Sequence, residues 1–77
     1  MEELNDKEYL KQFGKRIRSL RKDRGLSQSE LGAKADMEKS AIQRIERGYN
    51  PTLKTLRKIA QGLEIKISDM FDYNDCV

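Results

Sequence analysis

Apolar residues return every three or four positions along most of this 77-residue chain, the period of a helix with one buried face. Leu10, Phe13, Ile17 and Leu20 set the first stripe, with Lys11, Lys15, Arg18 and Lys22 off it. The stripe predicts a helix over about 7–24, capped by Asn5 or Asp6 and ended by Gly25. In "LSQSELGAKA", Ser27 and Glu30 form an S-x-x-E capping box, and Leu31 and Ala35 face inward four residues apart. A short helix over about 28–35 follows from that box. Gly32 and Ala33 leave little bulk on it, room for another helix to approach. Only Asp36 and Met37 separate it from "MEKSAIQRIERG". There Ala41, Ile42 and Ile45 make one narrow stripe, while Lys39, Ser40, Gln43, Arg44 and Arg47 lie opposite. This third helix is expected to start at Glu38, a weaker cap than Ser or Thr, and to end at Gly48.

Past the turn "YNPT", Thr52 caps a fourth stripe of Leu53, Leu56, Ile59, Ala60 and Leu63. A short fifth helix is expected from about residue 67, anchored by Met70 and Phe71, with Phe71 assigned to the core. The alternation in "EIKI" is too short to support a sheet. The pattern predicts an all-α fold, a compact five-helix bundle. Residues 7–72 form its single domain, with an acidic segment 1–6 expected to fray and a tail 73–77. No second domain is expected for sensing a ligand or for cleavage, so control falls to concentration, dimerisation or a partner.

Hydrophobic residues make up 36% of the chain and charged residues 38%, a balance that folds only because the few apolar residues are so regularly placed. The charge is uneven. Residues 9–58 hold 14 Lys and Arg against 5 Asp and Glu, whereas residues 1–8 and 59–77 each carry a net −3. A basic middle between acidic ends suits a polyanionic partner, and a solvated soluble surface is the competing explanation. The lone Cys76 excludes an intrachain disulfide, which fits a reducing cytoplasm. The N-terminus has no apolar signal-peptide core, and no apolar run approaches a membrane span of about 20 residues. With no His, no metal-ligand cluster, no glycine-rich phosphate loop and no base for Cys76, an enzyme is not expected, nor any cofactor or metal.

Two short helices joined by a tight turn, with small residues on the first, describe a helix-turn-helix formed by helices 2 and 3. The polar face of 38–47 then becomes a reading surface for a DNA major groove. Residues 25–48, "GLSQSELGAKADMEKSAIQRIERG", resemble the helix-turn-helix of the Xre/Cro-type, lambda-repressor-like regulators. The resemblance extends through "FGKRIRSLRKDRG" and "NPTLKTLRKIAQGLEIKISDMF", covering about residues 13–71. Asp36 stands where that family often has Gly, Glu38 and Lys66 where it often has a capping Ser, and the loop "GYNPT" is one residue shorter than the common pattern.

The resemblance implies a homodimer binding double-stranded DNA at a pseudo-palindromic operator. It assigns Lys39, Ser40 and Arg44 to base edges. Gln43, between them on the same face, suits adenine, and an ordinary charged helix face competes with all four. Gln28, at the first turn of helix 2, matches a phosphate-contacting position. Arg47, Tyr49, Asn50 and Lys54 surround the turn after helix 3 and are candidates for flanking phosphates. Arg16, Arg18 and Lys22 add general positive charge. Arg21 and Glu46 match positions that pair in relatives, tying helix 1 to helix 3. Ile65, Ile67, Met70 and Tyr73 are candidates for a dimer face. The function expected is a sequence-specific transcriptional regulator, a repressor, located in the cytoplasm. An antitoxin-type module with a toxin protein as partner, or a restriction–modification controller, is the alternative.

Overall fold

Asn5 and Ser27 each accept a bond from the backbone N–H three residues ahead, and in each case the glutamate at that position reaches back to the cap. These two capping boxes start α1 (Asp6–Asp23) and α2 (Gln28–Ala35). Asn5, not Asp6, is therefore the cap of α1, and Asp6 is its first residue. Thr52 Oγ1 accepts from Thr55 N at 3.1 Å and opens α4 (Leu53–Leu63). Between them lies α3 (Lys39–Glu46), whose preceding Glu38 makes no side-chain cap bond. The chain closes with α5 (Ile67–Met70), where Asp69 Oδ2 accepts from Lys66 N at 3.0 Å. Gly25 and Gly48, at φ 68° and 110°, take up the reversals after α1 and α3.

The computed structural model describes residues 4–72, and within them the fold is all-helical, five helices without a strand. α2 packs on α3 and α4, α1 crosses α3, and α5 closes against α1 and α4. One core gathers most of the predicted stripes: Phe13, Ile17 and Leu20 from α1, Leu31 from α2, Ile42 and Ile45 from α3, Ile59, Ala60 and Leu63 from α4. Leu53, counted in the fourth stripe, is instead 72% exposed at the first position of α4. Leu26, Met37, Leu56, Ile65 and Ile67 pack around its edge.

Two features of the α5 end differ from the sequence pattern. Met70 is fully buried, so it is a core plug and offers nothing to a dimer face. Phe71 is 43% exposed; its ring stacks on Phe13 with centroids 5.0 Å apart and planes 22° from parallel. The four-residue α5 carries inward only one large side chain, and the flexible methionine fills the space between α1 and α4 better than a rigid ring. Ile65 and Ile67 are half-buried against the core. Tyr73 lies outside the described residues, as do Cys76 and residues 1–3 of the acidic N-terminal segment.

Arg16 and Arg24 also have specific duties. Arg16 Nη2 donates to the carbonyls of Asp69 and Asp72 at 2.8 and 3.1 Å, satisfying the open C-terminal end of α5. Arg24 Nε donates to Leu63 O at 2.7 Å and does the same for α4. Arg16 is thus committed to the α5 end rather than to general surface charge.

Candidate nucleic-acid interface

The turn between α2 and α3 sets the geometry of the site. Asp36 adopts the left-handed conformation, at φ 57° and ψ 49°, and Met37 N donates back to Gly32 O at 2.8 Å. A Cβ at Gly32 would lie 2.6 Å from Met37 O. The small residue therefore admits the turn and the start of α3, whose Lys39 N would lie 3.5 Å from that Cβ. With the chain folded back so closely, α3 leaves the turn at a fixed angle to α2.

α3 then divides into two faces. Ile42 and Ile45 are buried, and Ala41 is half-buried. Lys39, Ser40 and Arg44 are exposed on the other side, with Gln43 half-exposed between them. Arg47, the residue after the helix, continues this face and is exposed. Lys39 is the first residue of the helix, where the backbone N–H groups already concentrate positive charge. Lysine there opposes the helix dipole. No acidic residue occupies that first turn, and the exposed Glu38 that caps it is the nearest carboxylate along the chain.

A cleft of about 490 Å³ separates the start of α2 from α3. Arg18, Arg21, Ser27, Gln28, Ser29, Lys39, Gln43, Glu46 and Arg47 line it. At its floor Arg21 Nε lies 2.7 Å from Glu46 Oε2, and Arg21 Nη2 donates to Glu46 Oε1 at 3.1 Å. Hydrogen bonding to Glu46 raises the Arg21 pKa above its ordinary value, partly opposed by burial. The same guanidinium donates through Nη1 to Leu26 O at 2.8 Å. Gln28 Nε2 donates to Glu46 Oε1 at 3.1 Å. The pairing of Arg21 with Glu46 leaves Arg18, Lys39 and Arg47 as the charges that set the sign of the cleft.

The other predicted positions sit on the flank. Tyr49 is 61% exposed. Its backbone N–H donates to Arg44 O at 3.0 Å, closing the end of α3. Asn50 is exposed, and Lys54 is exposed on the first turn of α4. The structure thus brings Gln28, Lys39, Gln43 and Arg47 around one cleft, places Ser40 and Arg44 on the adjoining face, and sets Tyr49, Asn50 and Lys54 beyond the end of α3. Sequence reasoning missed the bond from Gln28 to Glu46 and the bond from Arg21 to Leu26. The first depends on how α2 and α3 cross, whereas the second is made within the reversal after α1, where Leu26 N also donates to Arg21 O at 3.1 Å.

Among the described residues no group of acidic, cysteine or histidine side chains has the arrangement of a metal site, and no helix is long and apolar enough to cross a membrane.

Comparison with known proteins gives this surface a context. The immunity repressor of Bacillus phage phi105 is 45% identical over 56 residues, covering 71% of this chain. Control protein C.MunI of Mycoplasma sp is 38% identical over 61 residues, covering 77% of this chain and 82% of its own length. The crystal structure of the restriction–modification controller protein C.AhdI from Aeromonas hydrophila superposes with a TM-score of 0.76 at 36% identity, covering 80% of this chain and 94% of that one. Relatives from Bacillus and its phage are longer, and the chain spans 39% to 59% of their lengths. The sequence pattern of the helix-turn-helix family matches residues 17–70, which include the turn and both helices described above. The chain belongs to the Xre/lambda-repressor-like helix-turn-helix family.

Proposed function

We propose that this protein is a sequence-specific transcriptional regulator, a repressor, that binds a pseudo-palindromic operator as a dimer with α3 in the major groove. The observation that carries this is the exposed face of α3. It bears two cations, a hydroxyl and an amide, all exposed except the half-exposed Gln43, and it opens on a basic cleft at the start of α2. In this reading Lys39, Ser40, Gln43 and Arg44 meet base edges, with Arg44 suited to guanine O6 and N7. Gln28, Arg47, Tyr49, Asn50 and Lys54 hold the flanking phosphates. A second copy pairs along the α5 end, beside the half-buried Ile65 and Ile67.

A restriction–modification controller is a second reading within the same chemistry. It draws support from the near full-length superposition on C.AhdI, against the smaller share of the phage repressor that this chain spans. The two readings differ in which gene's upstream DNA is bound.

Fluorescence anisotropy tests the proposal. The probes are the duplex from immediately upstream of the protein's own gene and a shuffled control, each at two salt concentrations. The expected result is tight binding that prefers the native duplex and weakens steeply with salt. Equal, weak binding to both duplexes would overturn the regulator reading and point to a protein partner, such as a toxin, instead.

A further inference from the structure

Glu46 accepts more bonds than an ion pair requires. Its Oε1 receives both Arg21 Nη2 and Gln28 Nε2, each at 3.1 Å, while Oε2 receives Arg21 Nε at 2.7 Å. We propose that Glu46 is a positioning residue for the phosphate contact at the start of α2, holding the Gln28 amide in its binding orientation while Arg21 holds Glu46.

The chemistry of the groups fixes the orientation. A carboxylate only accepts, so the amide must turn its nitrogen, not its oxygen, toward Glu46. That nitrogen carries two hydrogens. One is used on Glu46, and the other remains for an oxyanion in the cleft beside Arg18, Lys39 and Arg47. A glutamine on an open surface samples many rotamers and loses that freedom on binding; here the freedom is lost before DNA arrives. Arg21 adds two effects. Its bond to Leu26 O fixes the backbone just ahead of Ser27, so one guanidinium ties down both the loop entering α2 and the carboxylate that holds the helix's first side chain. It also offsets the charge of Glu46, which would otherwise repel a phosphate entering the cleft. The network joins the start of α2 to the end of α3, and so sets the spacing between phosphate contact and base contact.

This inference rests on the DNA-binding reading, and the test separates the two. Four proteins are titrated against the upstream duplex: the unaltered chain, Gln28→Ala, Arg21→Met with Glu46→Leu, and the triple variant. The paired apolar replacement removes both charges together, so neither is left buried alone. In the unaltered background Gln28→Ala is expected to weaken binding about five- to tenfold, the scale of one hydrogen bond. In the paired background the same change is expected to cost less than about twofold, because the amide is no longer held. In DNA-free protein, the Gln28 side-chain amide NMR signals should move toward those of a free glutamine when the pair is replaced. An equal loss in both backgrounds, or amide signals that do not move, would overturn the proposal. If that paired variant does not fold, a second apolar pair, Arg21→Leu with Glu46→Met, replaces it with the same criteria applied, since neither side chain can hold the Gln28 amide as a carboxylate does. If the unaltered chain shows no preference for the native duplex, the regulator reading fails, and the amide signals alone then decide whether Glu46 holds Gln28.

Discussion

Arg21 and Glu46 meet 2.7 Å apart with only 9% and 5% of their side chains exposed, joining the last turn of α1 to the last residue of α3. Breaking such a pair from one side strands a buried charge, which costs far more than the pair itself contributes. Glu46→Ala is therefore expected to destabilise the fold by about 3 kcal/mol. Arg21→Met combined with Glu46→Leu should stay close to the parent protein. Urea titration followed by circular dichroism compares the two. A mild single variant and a severe double variant would show that the pair acts through packing, not charge.

α1 and α3 cross where Gly14 leaves room. A Cβ there would sit 2.6 Å from the carbonyl oxygens of both Ile45 and Glu46, and backbone cannot move aside as a side chain can. Gly14→Ala should cost about 2–3 kcal/mol through overpacking. It should also tilt α3 and weaken binding to the upstream duplex beyond the loss in stability. Thermal melting and anisotropy on the same preparation measure both.

Glu64 ends α4 in the left-handed conformation, at φ 59°, a geometry that places its Cβ against the following carbonyl. Glycine relieves that crowding but starts from a more flexible unfolded chain. Glu64→Gly is expected to gain about 0.5–1 kcal/mol net. A lower melting temperature would mean that the Glu64 side chain makes a stabilising interaction larger than the strain.

The capping box of α2 has a pH dependence with a definite sign. The backbone N–H of Ser27, and then its hydroxyl, hold the Glu30 carboxyl below its usual range, helped by the charge of Lys34. A depressed folded-state pKa contributes stability above the unfolded value and loses it as pH falls through the folded one. Glu30→Gln keeps a box-forming side chain but cannot titrate. The melting temperature of the parent protein should exceed that of Glu30→Gln at neutral pH, and the gap should close on acidification below the ordinary carboxylate range. A gap constant with pH would assign the difference to shape alone.

Base and phosphate contacts have different signatures in binding. Arg44→Ala should cost about 1–3 kcal/mol on the native duplex and much less on the shuffled one, flattening the preference between them. Lys54→Ala should weaken both duplexes alike and lower the salt slope by about one. Anisotropy over a salt series separates the two patterns, and interchange of the two results would exchange the roles assigned to these residues.

The sequence alone determined where the helices lie and which face of α3 stays polar. Those features rest on relations between residues three or four apart: the bonds between Ser27 and Glu30, the cap from Thr52 to Thr55, and the stripe of Ile42 and Ile45. Such relations are complete within one or two turns, so the chain states them before it folds. The tertiary structure decided what depends on how the helices cross. It chose Met70 over Phe71 to fill the core, because α5 is too short to turn both inward. It assigned Arg16 to carbonyls 53 and 56 positions away and Arg24 to one 39 away, where α5 and α4 present open ends. It gave Gln28 a partner 18 residues on, and so turned a matched position into part of a network. A long polar side chain can reach many partners, and only the packed backbone places one of them within hydrogen-bonding distance.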